Sequence, residues 1–364
     1  MVVVFIHFLM NFYPLSINNP NFIKSFFLYP PLGNLVAGRC AVCLFFILSG
    51  YVLSYNYLGD GSNHIKIMSN IIKRPIRLVG VVVFSAYATF LCFPEMYDRW
   101  DIVLLQSIYN PFGFGIGVNH SLWTIPIELQ GSFITFGFVL FFCNFRYRLL
   151  ILLAMLFYYA GTLYNCFVIG IVLADIFKNY VQYIEKHKQI VSKIILIPAL
   201  YFSAYPYYSD TEFIRDIFYG WLPDIRFVNS FYPLVGATLV FLFVNLNEWT
   251  KTKLNHSIFL FIGKISYSLY AIHAFVLYSF SKYLFFLTGS FIITVLLSFP
   301  IIIGVSWLVD RFVDQPTIML ANAIGKVAML RIGQMWNYIQ ALKNISNKDI
   351  KKASEFKSDP EASV

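Results

Sequence analysis

Apolar runs recur along this chain at lengths suited to a lipid bilayer, and that recurrence limits the fold more than any local motif does. A helix needs about 20 mostly apolar residues to cross ~30 Å of hydrocarbon. About ten runs approach this requirement, starting near Met1, Val36, Leu78, Leu122, Leu149, Asn165, Ile194, Phe231, Ile265 and Ser290. Hydrophobic residues make up 59% of the 364 and charged residues only 12%, and the mean hydropathy of +0.67 lies outside the range of soluble domains. The expected fold class is therefore an all-α polytopic membrane protein of about ten transmembrane helices. The stretch from Met1 to Pro14 is short for a crossing, so the first helix is expected to be truncated.

The basic residues test this arrangement. Lys66, Lys73, Arg74 and Arg77, then Arg146 and Arg148, then Lys178, Lys186, Lys188 and Lys193, then Lys251, Lys253 and Lys264 fall in alternate connections. The intervening connections hold only Lys24, Arg39, Arg99, Arg215, Arg226 and Lys282. Cytoplasmic loops are enriched in Lys and Arg, so the chain is expected to have both ends cytoplasmic. The net charge of +9 thus reports topology, and no nucleic-acid partner is expected. Residues 1–317 form the membrane domain; 318–364 form a cytoplasmic tail, expected to begin as an interfacial amphipathic helix and to be disordered from Asn344.

Chemistry is sought among ionisable groups inside apolar runs, because a charge at membrane depth costs several kcal/mol and is retained for a reason. His7 in V-V-V-F-I-H-F-L-M has the side chain of a general base, or of a histidine bonded across a helix interface. Glu128 in L-W-T-I-P-I-E-L-Q follows Pro126 and can orient an imidazole, accept a proton or pair with an arginine. Ser266, Tyr270 and His273 share a helix face at offsets of three and four, with Tyr267 beside them, as a packing stripe or a pocket wall. Arg74 and Arg77 in K-R-P-I-R-L suit an anionic ligand or simple anchoring. Trp123 stands at the entry of the span that holds Glu128, and Ser49 with Gly50 marks a close helix contact. The five cysteines are scattered through apolar sequence, and no metal site or disulfide framework is expected. G-x-S-x-G, P-loop and dinucleotide motifs are absent from the sequence.

Taken in order, V-V-V-F-I-H, F-F-I-L-S-G-Y, R-P-I-R, L-W-T-I-P-I-E, I-S-Y-S-L-Y-A-I-H and D-R-F-V-D-Q-P resemble the acyltransferase 3 family of integral-membrane O-acyltransferases. The resemblance implies transfer of an acyl group, commonly acetyl from acetyl-CoA or another acyl-CoA, to a hydroxyl of a cell-surface or lipid-linked glycan such as O-antigen or exopolysaccharide. No cofactor would be permanently bound. His7 becomes the catalytic residue, Glu128 its partner or a second essential group, Arg74 and Arg77 the donor contacts, and Ser49, Trp123, Tyr267, Tyr270 and His273 pocket residues. Two departures stand out: the family's arginine about eleven residues before the first histidine would precede Met1, and Asp314 stands where the family usually has Glu. The competing class is a transporter or flippase using the same His and Glu as a proton relay. Content rich in Phe, Ile, Lys and Asn hints at an AT-rich, bacterial genome, and a multi-pass helical protein of such an origin is expected in the inner membrane.

Overall fold

The computed structural model describes residues 1–12, 31–58, 64–93, 99–113, 120–180, 185, 187–206, 212–223 and 230–358. Every element among them is helical. In chain order they are α1 (Val2–Phe12), a 3₁₀ turn (Leu32–Val36), α2 (Gly38–Tyr55), α3 (His64–Cys92), α4 (Trp100–Tyr109), a second and a third 3₁₀ turn (Asn110–Phe112 and His120–Trp123) and α5 (Thr124–Phe142). There follow α6 (Arg148–Tyr158), α7 (Tyr164–Asn179), α8 (Lys188–Ser203), α9 (Glu212–Tyr219), α10 (Phe231–Leu246) and α11 (Glu248–Leu254). The chain ends with α12 (Ser257–Val276), α13 (Lys282–Thr288), α14 (Phe291–Val309) and α15 (Gln315–Ser358). All ten apolar runs coincide with a helix. Five described helices are long and apolar enough to cross a membrane, or six if the bent pair α10 and α11 is one span.

Small residues let these helices approach closely. Gly50 on α2 lies against the main chain of Phe167 on α7, and Gly170 returns the contact to the carbonyl of Ile47 and the amide of Tyr51. Gly50 therefore does mark a close helix contact, as its size suggested, while Ser49 reaches α5 through its hydroxyl, bonded to Glu128. Gly236 seats α10 on the backbone of Phe202 and Ser203 in α8 in the same way. Gly289, at φ +60°, ends α13 in the left-handed conformation that glycine adopts without penalty, and the chain then turns into α14.

Two local expectations change. The third span was placed from Leu78, but α3 begins at His64 and carries Lys66, Lys73, Arg74 and Arg77 on the helix itself, through Pro75. The reason is long-range: α15 runs beside α3, with Thr317 over Gly80 and the Lys73 stem over Gly325, while Ser69 donates to the Gly325 carbonyl at 2.8 Å. The first part of the tail is helical, as expected, and packs against α3, while α15 continues as helix through Asn344, from which disorder is expected, to Ser358. Pro126 occupies the first turn of α5, where the missing N–H has no helical partner to lose.

Candidate active site

Helix α1 is short, and its buried face carries Val4, Ile6, Phe8 and Leu9. His7 lies half-buried on the flank and meets His273 of α12, which is 0% exposed. Nδ1 of His7 is 2.8 Å from Nε2 of His273. The ring centroids are 5.0 Å apart and the planes differ by 17°, so with the nitrogens in contact the rings meet edge to edge, as an in-plane hydrogen bond requires.

The other nitrogen of His273 fixes the tautomers. Its Nδ1 is 2.6 Å from the carbonyl of Tyr270, an oxygen that can only accept. Nδ1 must therefore carry the hydrogen, and neutral His273 presents a bare Nε2. His7 then donates from Nδ1, which makes Nε2 of His7 its basic nitrogen. Tyr270 is held in turn: Thr124 donates to its hydroxyl at 2.8 Å, and that hydroxyl donates to the carbonyl of Ser121 at 2.5 Å. These two bonds tie α12 to the start of α5.

His7 opens onto a cleft of about 420 Å³ whose wall also includes Asn11, Arg39, Ser121, Trp123 and Tyr278. A smaller cavity of about 260 Å³, largely apolar, lies along the same helices and is lined by Phe45, Thr124, Ser266 and Tyr267. Val3, Val42 and Tyr270 line both. The hydroxyl of Tyr267 is engaged by the carbonyl of Leu78 at 2.8 Å.

Glu128 occupies a separate cluster. It is 1% exposed, forms an ion pair with Arg74, and accepts from Ser49 at 3.0 and 3.2 Å on its two oxygens. Nε of Arg74 donates to Ser132 at 3.0 Å. Of the roles open to Glu128, the geometry is that of the arginine pair: the imidazole beside His7 is His273, and the carboxylate neutralises Arg74, a cation too deeply placed to go without one. Arg74 thus turns inward, to Glu128 and Ser132. Arg77, one turn further along α3, is exposed and lies within electrostatic reach of Asp314. Asp310 beside it is met by Gln315 at 3.1 Å and by Lys264 at 3.7 Å.

The structure therefore gathers His7, Tyr270 and Trp123 around one cleft, with His273 buried behind His7, and Ser49, Glu128 and Arg74 around another point. Arg39 was not singled out from sequence, where it read only as one of the few cations outside the basic connections. The role of His273 was undervalued as well, although its offset of three from Tyr270 is the spacing that brings Nδ1 to the Tyr270 carbonyl.

Comparison with curated proteins and with solved structures gives no significant match. The model of a family described as an acyltransferase domain, acyltransferase 3, matches residues 1–311 of the 364. With that match over most of the chain and its apolar helical architecture, the protein belongs to the acyltransferase 3 family.

Proposed function

We propose that the protein is a membrane O-acyltransferase that moves an acyl group, acetyl in the simplest case, from acyl-CoA to a hydroxyl of a cell-surface or lipid-linked glycan. The observation that carries this reading is the chain from the Tyr270 carbonyl through His273 to His7, which leaves the basic Nε2 of His7 at a polar cleft. A positioned base of this kind contributes about 10²- to 10⁴-fold in rate. In this mechanism Nε2 removes the proton from the acceptor hydroxyl as its oxygen attacks the thioester carbonyl. The C–S bond then breaks and the CoA sulfur takes that proton back from the imidazolium. While His7 is charged, its Nδ1–H bond to His273 strengthens, because hydrogen bonds from a cation are about twice as strong as neutral ones.

The donor enters from the opposite end of the bundle. Arg77 is an exposed cation of α3 that suits CoA phosphates, with Arg74 near it in the Glu128 pair, and the apolar cavity reaches from Ile262 and Ser266 near the start of α12 to Val3 and Tyr270, which also line the His7 cleft. The arrangement of about ten spans with both ends cytoplasmic, in a bacterial inner membrane, accords with this direction of transfer. The test uses the full chain in nanodiscs with labelled acetyl-CoA and glycan from the producing cells, alongside NMR of surface glycan with and without the gene. Transfer by the wild type and its loss in His7→Gln at equal protein level is the expected result. Equal transfer by His7→Gln would sink the mechanism.

A further inference from the structure

The smaller cavity, next to the His7 cleft, has a lining matched to hydrocarbon. It encloses about 260 Å³, and Ala41, Val42 and Phe45 of α2, Ile125 of α5 and Leu269 of α12 are among its walls. Among the described residues no charged side chain lines it. Its hydroxyl groups belong to Thr124, Ser266, Tyr267 and Tyr270, and each hydroxyl hydrogen is already committed within the protein. Thr124 donates to the Tyr270 hydroxyl at 2.8 Å and Tyr270 to the Ser121 carbonyl at 2.5 Å. Tyr267 donates to the Leu78 carbonyl at 2.8 Å and Ser266 to the Gly263 carbonyl at 2.7 Å. An amide or carboxylate oxygen brought here would give up water without meeting a free side-chain donor, which is unfavourable. The pantetheine arm of CoA carries amides, whereas an unsubstituted acyl chain has no polar atom to satisfy.

The cavity also joins the place where such a chain would be attached. Val3, Val42 and Tyr270 line both it and the cleft onto which His7 opens, and the Tyr270 carbonyl is the one that holds His273. A thioester at that junction has the base on one side and the apolar space on the other. Size bounds the chain: an apolar cavity of about 150 Å³ takes benzene, so 260 Å³ has room for about six to eight carbons. We propose that this cavity receives the acyl chain of the donor, and that the group transferred is an unsubstituted acyl of about six to eight carbons. The inference rests on the acyltransferase reading for what becomes of the chain, and adds its length and character. Ala41 and Phe45 are then specificity determinants, since their bulk sets how far the chain can reach.

The experiment uses the full chain in nanodiscs, glycan from the producing cells, and acetyl-, butyryl-, hexanoyl-, octanoyl- and dodecanoyl-CoA as donors. A methylene taken out of water is worth about fourfold, so kcat/KM for hexanoyl-CoA should exceed that for acetyl-CoA by about tenfold or more. Dodecanoyl-CoA, too long for the cavity, should fall below hexanoyl- and octanoyl-CoA. Ala41→Leu, which fills part of the space, should cut the hexanoyl-to-acetyl ratio to about twofold. Phe45→Ala, at a wall position that is 45% exposed, should move the optimum to a longer chain, and it keeps the question answerable if the filled variant does not fold. Binding without turnover is read by calorimetry with S-ethyl- and S-hexyl-CoA, thioethers that cannot transfer. The hexyl compound should bind about tenfold tighter or more, and Ala41→Leu should remove most of the difference. Acetyl-CoA as the best donor, or a length profile that neither variant moves, would overturn the proposal and leave acyl transfer intact. A rate indifferent to the donor chain but sensitive to a lipid tail on the acceptor would assign the cavity to the acceptor, and overturn it as well. A hexyl preference that depends on Ala41, with no transfer from any donor, would keep the cavity as an alkyl site and refute the acyltransferase reading.

Discussion

The two buried polar clusters place different demands on their members. At His7 the partner acts through a tautomer, so His273→Gln should lower kcat about tenfold or more while the acceptor KM stays near wild type, as expected when an interaction matters only in the transition state. His273→Phe, which keeps a ring but no nitrogen, should be worse; steady-state kinetics on both variants checks the order. At Glu128 the partner is a desolvated cation. Glu128→Leu leaves Arg74 charged and enclosed, and losing one member of a buried pair costs about 3–5 kcal/mol. Replacing both, Arg74→Met with Glu128→Leu, should recover much of that loss, which the apparent melting temperature in detergent will show. A double variant as unstable as Glu128→Leu alone would contradict the pairing. The sequence exposed His7, Glu128 and His273 as individuals because an ionisable group in an apolar run is conspicuous. Their pairing was hidden, since His7 and His273 are separated by 266 positions and nothing local distinguishes an imidazole partner from a carboxylate one.

Helix contact is set by what fits between backbones. A methyl group added at Gly50 would come within 2.9 Å of the main chain of Phe167, which cannot rotate aside as a side chain would. Gly50→Ala should therefore destabilise by about 1–3 kcal/mol. Gly137 on α5 has nothing within 4 Å of the same methyl, so Gly137→Ala should be neutral or stabilise by up to about 1 kcal/mol. Thermal unfolding of the two variants in one detergent makes the comparison, and similar shifts would remove the close contact from the account. This scale also explains which element boundaries were legible. Apolar runs announce their helices through composition, and all ten did so. The turns of α3 before Leu78 were not legible, because they are held by Gly325 of α15, which meets the Lys73 stem and accepts from Ser69 across 256 positions.

Across the whole molecule, contacts between helix ends sort the bundle into two poles. Lys178 donates to the carbonyl of Tyr55 at 3.0 Å, Arg148 to that of Cys143 at 2.9 Å and to Asp175 at 2.7 Å, and Lys188 to Glu248 at 3.1 Å. These bonds gather the ends of α2, α5, α7 and α10 with the starts of α6 and α8. At the other pole Arg39 meets Ser230 at 2.8 Å and Asn34 donates to the carbonyl of Leu200 at 3.0 Å, which gathers the starts of α2 and α10 with the end of α8. The His7 cleft belongs to this second pole, through Gly38, Arg39, Trp123 and Tyr278. The cation-rich pole should face the cytoplasm, so acyl-CoA would be met on one side and the glycan on the other, with only the acyl group passing between them. Orientation can be read with single cysteines in a Cys92→Ser background, Cys92 being the exposed cysteine of the five. On intact cells a membrane-impermeant maleimide should label Tyr278→Cys and spare Lys253→Cys, and on inverted vesicles it should do the reverse. The opposite pattern would turn the His7 cleft towards the cytoplasm and would require the acceptor to be a cytoplasmic precursor, because a base that faces the cytoplasm cannot reach a hydroxyl on the outer surface.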